Sequence, residues 1–210
     1  MRTALSKEAI VQAALDVLDD QGMDGVTVRA VAQRLGVKAP ALYWHVKNKQ
    51  ELLDEMATEI WRRATEEMLT LAAQPNWRER LRAYATIVRR ALLSHRDGAK
   101  AFSGTYLTDS ALLQQQESML AEMIDAGFTL ENAIRAYSLI YSFTVGFSIE
   151  EQAAIESSDD RYSLRRRAQR LDARHPLTLE SGPLIFGDAA ARFTDLVEVL
   201  VESIARMRAA

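Results

Sequence analysis

The stretch LGVKAPALYWHVKNK, residues 35–49, holds a glycine, a proline, the run Tyr43-Trp44-His45 and three lysines, and no acid. It lies in a chain of net charge -3, so its basic character is local. Residues 26–49 carry Arg29, Arg34, Lys38, Lys47 and Lys49 without an Asp or Glu. A basic segment on an acidic body suggests one anion-facing surface, although a solvated patch would look the same from charge alone. Gly36 allows a sharp turn, and Pro40 suits the first turn of a short helix, where N–H groups lack helical partners anyway.

Working outward, residues 6–21 read as a helix. Ser6 is placed to cap it, Glu8 lies in its first turn, and Ile10, Ala13, Ala14, Val17 and Leu18 form one apolar stripe. Gly22 is placed to end it in the left-handed conformation. Thr27 can cap a second short helix ending near Leu35, and residues 49–71 read as a longer one. Helix, tight turn, short helix and long helix make a helix-turn-helix with a connector. In such a unit the second short helix enters the major groove and the first crosses the backbone. Ala39, Pro40 and Ala41 are small enough for close approach to base edges, and Arg29 could reach guanine bidentately. Tyr43, Trp44, His45 and Lys49 are the types that reach phosphates and sugars. Leu35, Val37, Leu42 and Val46 face inward. The plain alternative for Tyr43 and Trp44 is packing between the short helix and the long one.

The rest of the chain also reads as helices, over residues 77–94, 98–103, 109–125, 129–156 and 186–207, with Pro75 marking a break. Residues 157–184, with five arginines between 161 and 170, read as a mobile connection with one helical piece. Nothing alternates apolar with polar over strand length, so the expected fold class is all-α. The expected organisation is a three-helix DNA-binding domain over residues 1–48 and a larger domain over 49–210, with the helix over 49–71 as connector; that the larger one binds a ligand is what a family resemblance, given below, implies. The helices over 129–156 and 186–207 carry more apolar surface than one small domain buries, which calls for a homodimer. No apolar run is long enough to span a membrane, no export signal is evident, and the chain has no cysteine, so the cytoplasm is expected. Its three histidines, His45, His95 and His175, are scattered, which leaves no nucleophile–base pair and no metal motif. Neither an enzyme nor a cofactor is expected.

Residues 6–56 resemble the DNA-binding domain of the tetracycline-repressor (TetR) family, most of all in LYWHVKNKQELLD (42–54). The similarity continues in RRALLSHRDGAK (89–100), Gly104-Thr105, GFTL (127–130) and SFTVGFSIEEQ (142–152). The resemblance implies an all-helical homodimer that binds a palindromic double-stranded DNA operator and releases it when a small-molecule effector enters the larger domain. The family's DNA contacts carry onto Thr27, Arg29, Pro40, Tyr43, Trp44, His45 and Lys49. The residues flanking the proline differ: a glutamine and a threonine in tetracycline repressors are Ala39 and Ala41 here, and the preceding acid is Lys38. A different operator is therefore expected, with Lys38, Ala39 and Ala41 at the reading positions.

The resemblance also locates a ligand pocket, and there the departures are larger. The position of the family's magnesium-binding histidine is Phe102, that of the drug-binding asparagine is Tyr84, and that of a pocket phenylalanine is Val88. A nearby glutamine falls at about Ser118 or Met119, while Thr105 and Glu150 match. The expected pocket comprises Tyr84, Val88, Phe102, Thr105, Met119, Tyr137, Tyr141, Phe143 and Glu150, without a metal. Its mostly apolar and aromatic character suits a flat hydrophobic effector. Several of these residues would serve equally well as core. Two functions stay open: a ligand-responsive repressor, and a constitutive DNA-binding protein whose C-terminal domain only dimerises.

Overall fold

The computed structural model describes residues 5–70, 76–157, 162–171 and 174–208, and among these every regular element is a helix. The fold is all-α, as the periodicity predicts. The helices are α1 (Lys7–Gly25), α2 (Val28–Arg34), α3 (Ala39–Leu42), α4 (Lys49–Thr70), α5 (Trp77–Leu92) and α6 (Gly98–Phe102). They are followed by α7 (Ser110–Asp125), α8 (Leu130–Ile155), α9 (Leu164–Gln169), α10 (Pro176–Phe186) and α11 (Ala189–Ala205). The caps read from the sequence are in place. The Ser6 hydroxyl accepts the Ala9 N–H at 3.2 Å, and that of Thr27 accepts the Ala30 N–H at 3.0 Å. Gly22, at φ 72°, breaks the helical path of α1 where the left-handed glycine is expected.

Two readings need correction. Residues 157–184 hold two helices, α9 and α10, rather than one helical piece in a mobile connection. Nothing in α9 and only Gly182 in α10 is buried, so neither shows the apolar stripe by which a helix is recognised. Instead Ser163 caps α9, and α10 opens at Pro176, where a missing N–H costs nothing. The final helix begins at Ala189, because the Asp188 carboxylate caps it by accepting the Ala190 and Ala191 N–H groups, and Phe186 closes α10 instead. The expected break at Pro75 lies outside the described residues.

Apolar side chains gather in two cores. One joins α1, α2, α3 and the first part of α4 to Val88, Leu92, Ala99, Ala101 and Phe102 of α5 and α6. The other joins α5, α7, α8 and α11 through Leu81, Met123, Ile140, Phe193 and Val197. The rings of Trp77 and Phe128 meet edge to face at 5.0 Å, and Phe143 stacks on Phe193 at 5.7 Å. Helix α5 contributes to both cores.

Candidate nucleic-acid interface and effector cavity

Leu42 and Val46 are fully buried, and Leu35 and Val37 pack on the same core, so the short helix is seated from below as its pattern requires. Gly36, at φ 65°, makes the turn between α2 and α3. With the apolar side held, the opposite side of the unit is presented outward. Trp44 is 90% exposed and Tyr43 54%. A tryptophan so exposed, next to a half-exposed tyrosine, does not pack between α3 and α4, so the plain alternative for these two residues fails. Arg29, Lys38, Pro40 and Lys49 are exposed beside them, while Ala39, Ala41 and His45 are half-buried. The Lys49 Nζ donates to the Met23 carbonyl at 3.0 Å, which holds the start of α4 against the end of α1.

The corner between α5 and α6 ties this unit to the rest of the chain. The Asp19 carboxylate of α1 accepts the Arg96 N–H at 3.0 Å and faces His95 Nδ1 at 2.8 Å. The Asp97 carboxylate accepts the Met23 N–H at 2.9 Å. Asp97 adopts the left-handed conformation, φ 53°, that aspartate tolerates better than most residues. A Cβ at Gly22 would meet the Asp97 carboxylate at 2.7 Å, so close approach as well as the turn requires glycine there. From the other side, Gln152 of α8 donates to the His95 carbonyl at 2.7 Å and accepts the Ala99 N–H at 2.9 Å. Glu156 accepts the Asp97 N–H at 2.9 Å. The corner is thus bonded to both α1 and α8.

A cavity of about 470 Å³ opens among α4, α5, α7 and α8. Helix α4 lines it with Trp61, Thr65 and Met68, and α5 with Tyr84. Helix α7 adds Leu112, Gln115, Gln116, Met119 and Leu120, and α8 adds Ile134, Tyr137, Ser138 and Tyr141. Each multi-residue set recurs at three- or four-residue steps, one face of its helix. Rings pair across the walls: Tyr84 meets Tyr137 edge to face at 5.2 Å, and Trp61 meets Tyr141 at 5.8 Å. The segment before α7, which brings in Leu107, is laced to α4: Thr108 N–H donates to the Thr58 hydroxyl at 2.9 Å and Arg62 pairs with Asp109 at 3.1 Å. The Ala111 N–H and the Arg62 guanidinium together hold the Asp109 carboxyl below its ordinary range.

No charged side chain lines this cavity among the described residues. Burial pushes the phenols of Tyr84, Tyr137 and Tyr141 above their ordinary range, so all three are protonated hydrogen-bond donors at neutral pH. Of the nine residues expected around a ligand, Tyr84, Met119, Tyr137 and Tyr141 line the cavity. The other five lie elsewhere. Val88 and Phe102 are buried in the first core, and Phe143 stacks in the second. The Thr105 hydroxyl donates to the Phe102 carbonyl at 2.8 Å, and Glu150 is exposed on α8. Sequence reasoning missed Trp61 and Gln115. The spacing Trp61, Thr65, Met68 on an expected helix was the available signal.

Comparison with known proteins agrees with this architecture. Residues 10–56 match the family described as bacterial regulatory proteins, tetR family. Residues 71–208 match the tetracyclin repressor-like C-terminal domain. The chain belongs to the TetR family. It is 41% identical over 157 residues to the tetracycline repressor protein class D of Escherichia coli, covering 75% of this chain and 71% of that one. A possible TetR-family transcriptional regulator from Streptomyces coelicolor A3(2) superposes with a TM-score of 0.85 at 31% identity, over 97% of this chain and 100% of that one. A class A TetR in complex with 5a,6-anhydrotetracycline and magnesium gives a TM-score of 0.67 at 31% identity, over 97% and 100% of the two chains. As a TetR-family member the chain is a DNA-binding transcription regulator, not an enzyme. The partner classes of the family are a DNA operator, a small-molecule effector and a second copy of the chain. No helix among the described residues is long and apolar enough to cross a membrane.

Proposed function

We propose that the chain is a cytoplasmic repressor that releases its operator on binding an uncharged, planar, largely apolar aromatic compound, without magnesium. The observation that carries this reading is the cavity wall, with four aromatic rings and no charged residue. Magnesium demands near-octahedral oxygen ligation and is bound through carboxylates or substrate oxygens. The wall holds no carboxylate and no imidazole, so its donor set does not fit the ion. An ionic effector would lose its hydration without a counter-charge, whereas a flat neutral one buries its faces against Trp61, Tyr84, Tyr137 and Tyr141. A cavity of this size and lining has no task in a domain that only dimerises, which favours the responsive reading over the constitutive one.

Operator binding rests on the outward side of the unit, in a domain spanning residues 1–48, with the effector and dimer domain over 49–210. Arg29 reads a base edge, and Lys38, Ala39, Pro40 and Ala41 bring the start of α3 close to the groove floor. Tyr43, Trp44, His45 and Lys49 hold phosphates and sugars, and Thr27 fixes the start of α2 that carries Arg29. Two copies pair through α8 and α11, where Leu139, Leu196 and Val199 stay exposed and Gly146 leaves open space for a close neighbour. Helix α4 joins the two sites. Lys49 at its start and Trp61 in the cavity are separated by about 18 Å of helix, so a tilt at the cavity moves the reading unit.

The test is release from a preformed complex with duplexes selected from a random pool. Tetracycline with and without magnesium is compared with 6-acetyl-2-dimethylaminonaphthalene, and tryptophan emission of Trp44→Phe without DNA, where Trp61 changes over the constant background of Trp77, reports occupancy. The neutral naphthalene is expected to quench emission and free the DNA with or without magnesium. Tight, magnesium-dependent release by tetracycline would sink the proposal.

A further inference from the structure

Three phenols belong to the cavity wall, and they differ in what their oxygens can reach. The Tyr137 hydroxyl is enclosed by protein without accessible surface, so a ligand does not touch it. The hydroxyls of Tyr84 and Tyr141 are not enclosed in this way, and neither has a hydrogen-bond partner among the described residues. Both rings line the same empty space, Tyr84 from α5 and Tyr141 from α8. Tyr84 is otherwise largely covered, since burial is the first cause that raises its phenol, so the surface its oxygen keeps is cavity surface.

The two oxygens are neighbours. After burial, the group that most opposes ionisation of Tyr84 is Tyr141, ahead of Tyr137, although it is the Tyr137 ring that meets Tyr84 at 5.2 Å. Charge interaction weakens with separation, so the Tyr141 oxygen is the nearer one. The two hydroxyls do not bond to each other, which leaves room for an atom between them. We infer that the effector carries a conjugated carbonyl, as in an aryl ketone or a quinone, whose oxygen accepts the protons of both Tyr84 and Tyr141. The inference rests on the reading of the cavity given above and adds the polar group its ligand must bear. Both phenols stay protonated, and each proton needs a lone pair. A carbonyl oxygen offers two lone pairs and takes both protons at once, whereas a ligand N–H satisfies neither. Water serves accessible hydroxyls until a ligand displaces it, and a ligand that brings no acceptor leaves both donors stranded. A site built around such donors therefore rejects the apolar analogue of the same shape. Conjugation keeps the carbonyl in the ring plane, so the flat body and its acceptor enter as one rigid unit.

2-Acetylnaphthalene and 2-ethylnaphthalene, alike in outline, test this. Each competes with 6-acetyl-2-dimethylaminonaphthalene, whose own emission reports occupancy, on wild type, Tyr84→Phe, Tyr141→Phe and the double variant. The affinity of the reporter is measured for each protein first. In wild type the acetyl compound should bind about 25-fold more tightly than the ethyl one, about fivefold for each bonded phenol. Either single substitution should reduce the advantage to about fivefold, and the double variant should abolish it. The infrared carbonyl stretch of bound 2-acetylnaphthalene should lie below its frequency in hexane, and each substitution should return part of that shift, which a merely structural role would leave unmoved. At neutral pH the unliganded variants should melt with the wild type, because neither hydroxyl bonds within the protein. An acetyl advantage that is absent from wild type, survives the double substitution or depends on one phenol alone overturns the shared acceptor, and the cavity reading stands. If no naphthalene binds, the cavity reading itself falls, and this inference with it.

Discussion

Replacing Gln152 tests how strongly the α5–α6 corner is held. The residue is buried, 7% exposed, and its amide uses both ends: it donates to the His95 carbonyl at 2.7 Å and accepts the Ala99 N–H at 2.9 Å. Gln152→Met keeps the length and apolar stem and removes both bonds. Ala99 is fully buried, so its N–H is left unpaired, while the His95 carbonyl is only partly covered. One unpaired buried donor costs about 1–3 kcal/mol and one ordinary bond about 1 kcal/mol, which makes about 2–4 kcal/mol together. For a chain of this size that lowers the melting temperature by about 4–16 °C, measured at a fixed protein concentration because assembly adds its own stabilisation. Gln152→Glu should lose at least as much, since its carboxylate still accepts the Ala99 N–H but buries a charge and sets an acceptor against the His95 carbonyl. Amide hydrogen exchange locates the effect: Ala99 should lose protection in Gln152→Met and keep most of it in Gln152→Glu. If Gln152→Met melts with the wild type and Ala99 exchanges no faster, the corner is not held from α8, and the link drawn between α8 and α1 fails.

Three further outcomes follow from the same geometry. Lys49→Ala should weaken binding to every DNA sequence alike and reduce the salt slope by about one contact's share, whereas Arg29→Ala should also relax base preference in a binding-site selection. Leu196→Glu combined with Val199→Glu, both at exposed positions on α11, should give a folded monomer by light scattering and circular dichroism. Val201→Asp should instead unfold the chain, because Val201 is fully buried within its own core. The buried phenols set the alkaline limb of stability. Their folded pKa values lie above that of an unfolded tyrosine, so the stability they contribute is complete below about pH 10 and is lost as pH rises further. Thermal melts should therefore be flat from neutrality to about pH 9 and fall beyond about pH 10, less steeply in Tyr84→Phe.

The parts legible in the sequence are those that local chemistry decides. Ser6 and Thr27 announce helix starts because a short side-chain oxygen satisfies an N–H three residues on, and no distant residue changes that. Gly22 and Gly36 announce turns for the same reason. The exposed side of the helix-turn-helix was legible because its inward residues, Leu42 and Val46, are apolar at helical spacing, which leaves Trp44 to point outward. Helices α9 and α10 were not legible as a pair, since almost nothing in them is buried and no apolar stripe betrays them.

The cavity lies beyond local chemistry, because a helix stripe says which side is inward and not which inward positions are filled. On α5 the series Leu81, Tyr84, Ala85, Val88 and Leu92 reads as one apolar face, and Leu81, Ala85, Val88 and Leu92 are buried in packed core while Tyr84 lines the cavity. On α8, Ile140 and Ala136 are core, and the flanking Tyr137 and Tyr141 line the cavity. Trp61 stands in the same relation to Ile60 and Ala64 on α4. A large aromatic residue one position away from a small or aliphatic core residue keeps two helices apart on that side, and empty volume remains where several such residues face one another. Phe143 breaks the pattern only because Phe193, fifty residues later, stacks on it and fills the gap. Membership of an apolar stripe therefore does not tell core from cavity, since Tyr84 shares its face with Leu81, Ala85, Val88 and Leu92 and alone among them lines the empty space.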